Sequence, residues 1–212
     1  MSEFAVTPEI RSAEIERVKH RNLSLDRLFV LLLGPSATGK STIIEYMNRA
    51  SGSNQFEYVK PIMTRPNRTG ETDKISVNNH EFDALEESGK FVVVNDLYTV
   101  RYGTPIEGIL EPLRNGQTPI LDYPIDTVTK LERDEYDTLK FYVYPGSVDE
   151  WKQRMEASGR NIDGRLERGL RELGSLAIGV ENPLIDVSIV NSDGRAEQAA
   201  GEILTVINEA VN

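Results

Sequence analysis

The chain has 212 residues, 39% of them hydrophobic, enough for one ordinary domain with a sizeable core. It contains no cysteine, which excludes disulfides, thiolate zinc sites and cysteine nucleophiles. A formal net charge of −10 argues against broad nucleic-acid binding and makes any local arginine cluster informative. No apolar run approaches the ~18 residues of a membrane span, and the N-terminus lacks an apolar signal core, so a cytoplasmic protein is expected.

Residues 1–27 read as a polar, charged N-terminal arm. Thr7-Pro8-Glu9 has the form of a helix start, with proline at the first helical position. Ile10, Ala13, Arg17 and Val18 give only a weak apolar stripe, so this helix is expected to lie on the domain's flank; a partner-binding arm is the alternative. Leu28 to Leu33 are apolar and read as a buried strand. They run into Gly34-Pro35-Ser36-Ala37-Thr38-Gly39-Lys40-Ser41, which fits the phosphate-binding pattern GxxxxGK[ST] at every fixed position. A helix-compatible segment follows over 40–50. Glycines let such a loop turn its N–H groups onto a phosphate, and the helix presents its positive end to the same anion. Lys40 would reach the β- and γ-phosphates, and the Ser41 hydroxyl would help hold magnesium. Nucleoside triphosphate binding is therefore expected at Gly34, Ser36, Ala37, Thr38, Gly39, Lys40, Ser41 and Thr42.

Further along, Gln55 to Val59 predicts a short strand, and 60–80 a loop with short strands. Glu81 to Ser88 predicts a helix closed by Gly89, and Phe91-Val92-Val93-Val94 a strand. Tyr102-Gly103 reads as a turn, and Thr104-Pro105-Ile106-Glu107 as a capping box opening a helix that ends at Arg114. Thr118 to Asp122 is a buried strand ending in a carboxylate, and Asp126 to Arg133 a helix. Leu139–Tyr144 and Val187–Val190 are strands; Ser147–Ala157, Arg165–Ala177 and Arg195–Val211 are helices. Such alternation predicts an α/β fold with a parallel sheet covered by helices on both faces.

With these elements placed, residues 28–208 resemble the guanylate kinases and their relatives among P-loop nucleoside-monophosphate kinases. Four segments carry the resemblance: Gly34 to Thr42; Thr64-Arg65-Pro66-Asn67-Arg68-Thr69-Gly70-Glu71, similar to the family's TTRxxRxGE loop; Arg101-Tyr102-Gly103-Thr104-Pro105, similar to its YYGTP segment; and Val190-Asn191-Ser192-Asp193, similar to its VVNxD ending. The resemblance implies a three-layer P-loop kinase fold over 28–212, with an inserted acceptor-binding lobe at about 59–103 and a short lid at about 158–168. It implies transfer of the ATP γ-phosphate, with Mg2+, to a phosphate on a small acceptor. Arg65, Arg68 and Tyr102 would grip the acceptor phosphate, with Thr104 in the acceptor site. Arg160 and Arg168, and more weakly Arg154, would close from the lid. Asp122 would stand near magnesium and acceptor, and Asn191 near the adenine. A monomer or homodimer is expected, with no nucleic-acid or membrane partner.

Three positions that read guanine in this family differ here. Pro61 replaces a serine, Val93 a glutamate and Pro124 an aspartate. None of these side chains can accept guanine's N–H donors, and a buried unpaired donor costs about 1–3 kcal/mol. The loop after Gly70-Glu71 is also about three residues short, which removes one phosphate-gripping tyrosine and leaves Lys74 nearby. GMP is the family's default acceptor. The shortened loop is similar to that of a relative phosphorylating ribose 1,5-bisphosphate, whose acceptor has no base. Arg68 and Thr104-Pro105 look more like true guanylate kinases, and Asp126 or Glu86 could replace a lost carboxylate. Guanylate-kinase-like domains also serve as protein-interaction modules, which typically lose the loop lysine; here Lys40 and Ser41 are intact.

Overall fold

A computed structural model describes residues 4–52, 55–97, 99–158 and 164–211. Its centre is β1 (Leu28–Leu33), all six side chains buried. Alternation along the strand splits these side chains between two cores. Leu28, Val30 and Leu32 pack with α2 (Lys40–Ala50) and the C-terminal helix Ala196–Ala210. Phe29, Leu31 and Leu33 pack on the other face with Trp151, Met155 and Leu173. A strand apolar on both faces can only sit between two helical layers, which makes the fold a three-layer sandwich. Burying each such Leu or Phe stabilises the fold by about 1.5–3 kcal/mol.

The chain order is α1 (Pro8–Lys19), β1, α2, β2 (Phe56–Tyr58), β3 (Ile62–Met63), β4 (Ile75–Ser76), α3 (Asn79–Glu87), β5 (Phe91–Leu97), β6 (Val100–Pro105), α4 (Glu107–Arg114), β7 (Thr118–Tyr123), β8 (Asp137–Pro145), α5 (Val148–Ala157), α6 (Arg165–Ser175), β9 (Val187–Asn191) and α7 (Ala196–Ala210). The main sheet runs β2-β7-β1-β8-β9, every pairing parallel. A second sheet, β4-β3-β6-β5, is built from residues 62–105. In the main sheet the chain reverses its direction of travel at β1, so a crevice opens beyond the carboxyl ends of β1 and β7. Register places Asp122 beside Leu32 and Tyr123 beside Leu33, directly before the Gly34 loop.

Thr7 caps α1 by accepting from the Ile10 N–H, and α1 packs on α7 and β9. Arg11 ties it down, donating to the Ser188 carbonyl at 2.7 Å and pairing with Glu14 and Glu202. Asn78 and Glu81 form a capping box on α3, and Ser147 caps α5.

Three local expectations are corrected. Tyr102-Gly103 is not a turn but the middle of β6, where Gly103 pairs with Ile62 and Val94. Its missing Cβ makes room for the Phe91 ring, which would otherwise lie 2.6 Å away. Thr104 does not cap the next helix: it belongs to β6, its side chain is turned inward and only 2% exposed, and α4 starts after Ile106 without a side-chain cap. The segment after β7 is a 3-10 helix, Ile125–Leu131, rather than an α-helix from Asp126 to Arg133. Its buried residues, Val128 and Leu131, are three apart, the spacing that superimposes on a 3-10 turn.

Candidate active site

The loop between β1 and α2 is held from behind. Gly34 (φ 121°) and Gly39 (φ 89°) adopt left-handed backbone, and Ala37 does so at φ 66°. A Cβ at Gly34 would lie 2.7 Å from the Val143 carbonyl oxygen, and one at Gly39 2.2 Å from the Asn191 amide nitrogen. Trp151 Nε1 donates to the Ser36 carbonyl at 2.7 Å, and Asn191 Nδ2 donates to the Thr38 carbonyl at 2.8 Å. Lys40 begins α2 and folds back across the loop, donating to the carbonyls of Gly34 (2.7 Å) and Pro35 (2.9 Å). Asn191 and Thr38 are buried behind the loop, whereas Gly34, Ser36, Ala37, Gly39, Lys40, Ser41 and Thr42 line the cleft in front of it.

That cleft has a volume of about 470 Å³, and its far wall comes from the second sheet. Arg65, Arg68, Tyr102 and Thr104 stand there, with Asp122 on the floor. The Arg65 guanidinium is clamped by Glu71: Nη1 and Nη2 each donate to one carboxylate oxygen at 2.7 Å. The pairing holds the Glu71 carboxyl at about 2, well below its ordinary value, and raises the already basic arginine further. The Tyr102 hydroxyl also contacts this guanidinium. Arg65 Nε is buried without a partner among the described residues. Arg68 donates its backbone N–H to Glu71 at 3.0 Å; its side chain is exposed and makes no ion pair with a described residue. Lys74 lines the same wall, paired with Asp73 at 2.5 Å.

Asp122 Oδ1 accepts from the Tyr58 hydroxyl at 2.5 Å. Burial, and then the carboxylate itself, push the Tyr58 phenol far above its ordinary range, so it stays protonated and keeps donating. Ser41 and Asp122 both line the cleft, and no three His, Asp or Glu residues cluster as metal ligands among the described residues. One hydroxyl and one carboxylate, completed by phosphate oxygens and water, is an oxygen set suited to magnesium.

The third wall is α6. Arg165, Arg168, Gly169 and Glu172 line the cleft at the helical spacing i, i+3, i+4 and i+7. A Cβ at Gly169 would lie 2.5 Å from the Trp151 ring, so the glycine brings α6 close to the loop. Arg168 donates to Asp126 at 2.7 Å. Arg154 also lines the cleft, donating to Asp193 at 2.7 Å. Arg160 lies outside the described residues. Tyr142 donates to Glu172 at 2.7 Å, and burial raises the Glu172 carboxyl while the Lys40 charge pulls the other way.

Sequence reasoning passed over Arg165, Asn95 and Tyr123, all on the cleft wall. The helical period through Arg168 was the available signal for Arg165. Asp126 and Glu86, considered as replacement carboxylates, do not line the cleft; Asp126 is held by Arg168 and Glu86 by Arg101.

A parallel sheet with order β2-β7-β1-β8-β9, a glycine loop closing on a lysine at its carboxyl edge and a basic second lobe opposite define a P-loop kinase fold. The guanylate kinase family model matches residues 26–209, and the chain belongs to that family. It is an ATP-dependent, nucleoside-monophosphate-kinase-like enzyme. A guanylate kinase of Symbiobacterium thermophilum is 31% identical over 185 residues, 85% of this chain and 84% of that one. A ribose 1,5-bisphosphate phosphokinase of Agrobacterium fabrum is 27% identical over 182 residues, 85% of this chain and 96% of that one. The crystal structure of guanylate kinase from Anaplasma phagocytophilum matches in fold, with a TM-score of 0.62 at 18% identity over 88% of this chain and 86% of that one.

Proposed function

We propose that this chain moves the γ-phosphate of ATP onto the phosphate of GMP. One observation supports this above the others: the Gly34–Ser41 loop and the Arg65–Tyr102 wall face each other across a single cleft. Two anions brought together there repel each other, so the protein's work is positioning and charge neutralisation. The loop N–H groups, Lys40 and the N-terminus of α2 hold the triphosphate. Arg65, Arg68 and Tyr102 hold the acceptor phosphate. Arg165 and Arg168, on one face of α6, stand where they can neutralise the transferring group. Ser41 and Asp122 would hold Mg2+, which supplies positive charge against the phosphate oxygens. An acceptor phosphate oxygen bonds to the γ-phosphorus as the bond to the β–γ bridging oxygen breaks, and ADP leaves.

A second reading, ribose 1,5-bisphosphate as acceptor, is favoured by Pro61, Val93 and Pro124, which offer no side-chain acceptor to a base. Acceptor-dependent ADP release, assayed with GMP, dGMP, AMP, UMP and ribose 1,5-bisphosphate, separates the two. GMP as the fastest acceptor is expected; turnover confined to the sugar bisphosphate would overturn the first reading. Binding without catalysis is disfavoured by the intact Lys40 and its place in the loop.

A further inference from the structure

Val93, where the family resemblance expects a base-reading glutamate, is buried in the hydrophobic core and takes no part in the cleft wall. Two residues on, on the same face of β5, Asn95 does line the cleft. Its side chain is only 7% exposed. Asn95 Nδ2 donates to the Tyr123 hydroxyl at 2.5 Å, while Asn95 Oδ1 is buried with no partner among the described residues. Buried carboxamide oxygens are normally satisfied, so one left over on the wall of a binding cleft points to a missing donor.

The pair is held in place. The Tyr123 hydroxyl that takes this bond sits at the end of β7, on a side chain that is itself buried. Burial of the ring fixes the hydroxyl's position, and its position fixes which way the Asn95 carboxamide turns. Neither Asn95 nor Tyr123 is charged when it does this, so the wall offers one neutral acceptor where a carboxylate would have offered two strong ones.

We propose that Asn95 Oδ1 accepts a hydrogen bond from a ring N–H of the acceptor's base, making Asn95 a specificity-determining residue and Tyr123 its positioning residue. This rests on the reading of the cleft as a phosphotransferase site and narrows its substrate class to nucleoside monophosphates whose base carries a ring N–H. A single neutral acceptor reads that one donor and little else. The enzyme therefore takes GMP and IMP, which carry that ring N–H alike, with similar efficiency. It rejects AMP, whose N1 is itself an acceptor, and gains nothing from this wall with a base-free sugar phosphate.

The test measures kcat and KM for GMP, IMP, AMP and ribose 1,5-bisphosphate, with GMP binding by calorimetry in parallel, on wild-type, Asn95→Leu, Asn95→Asp and Tyr123→Phe proteins. GMP and IMP are expected within about threefold of each other in kcat/KM, with AMP at least tenfold lower. Asn95→Leu raises KM for both at least tenfold with kcat largely kept, and Asn95→Asp, which keeps the oxygen, recovers most of that loss. Tyr123→Phe raises the same KM values by a smaller factor and leaves the KM for ATP alone. Asn95→Ala repeats the comparison if Asn95→Leu loses its cooperative melt. An unchanged KM for GMP in Asn95→Leu overturns the assignment and leaves the phosphotransferase reading standing, as does turnover of the sugar bisphosphate alone. Absence of transfer to every acceptor overturns the phosphotransferase reading. In that case calorimetry decides the Asn95 assignment: GMP bound tenfold more weakly by Asn95→Leu keeps it, and equal or absent binding sinks it.

Discussion

Replacing Arg65 by alanine should weaken the acceptor and spare ATP. In the structure Glu71 takes one N–H from each of Nη1 and Nη2 of Arg65, the Pro66 carbonyl takes another from Nη1, and the buried Nε–H has no partner among the described residues. An acceptor phosphate oxygen at Nε makes one charge-assisted bond, worth about 1.5–3 kcal/mol. Losing it corresponds to about a 10- to 150-fold rise in acceptor KM, since each 1.4 kcal/mol is tenfold. Leaving Glu71 without its counter-charge adds repulsion toward the phosphate, which sets the outcome in the upper half of that range. The assay is ADP release at fixed ATP against varied acceptor, then at fixed acceptor against varied ATP. A matching rise in the KM for ATP would place Arg65 on the triphosphate side and refute the reasoning.

Lys40→Ala should reduce turnover by about 100- to 1,000-fold, the scale for removing one preorganised charge donor, with little change in acceptor affinity measured by calorimetry. Trp151→Phe removes the bond to the Ser36 carbonyl and should lower the melting temperature by about 3–10 °C, equivalent to about 1–3 kcal/mol, while raising the KM for ATP. The acid limb of stability should carry a Glu71 contribution. Its folded value of about 2 lies below the ordinary 4.5, so the stabilisation is complete above pH 4.5 and lost as pH falls toward 2. After screening at this solvent-facing loop it amounts to about 1 kcal/mol, and Glu71→Gln should abolish that part of a urea-melt pH profile.

The β1 strand, the phosphate loop and the parallel sheet were legible because each rests on a local pattern. Six apolar residues with no polar alternation, ending at a glycine, read as a buried strand, and glycines at fixed offsets suit a left-handed loop. What failed to read out depended on contacts distant in sequence. Gly103 looks like a turn until the Phe91 ring is seen to need its space, and Thr104 looks like a cap until β5 and β3 claim its strand. Asn95 was hidden because the apolar run ends at Val94, while hydrogen bonding to β6 carries the strand on to Leu97. Tyr123 gave no signal either, since its hydroxyl acquires meaning only where β7 passes Asn95. Arg168 was marked by the family resemblance, but the face it shares with Arg165 and Glu172 follows from where α6 starts, at Gly164 in left-handed backbone.

The most direct measurement is phosphorus NMR of the products after incubation with ATP, magnesium and GMP. The account predicts ADP together with a new diphosphate whose two phosphorus atoms are coupled through the bridging oxygen, because an acceptor phosphate is the nucleophile. A new phosphomonoester on an acceptor hydroxyl, or inorganic phosphate alone, would contradict it.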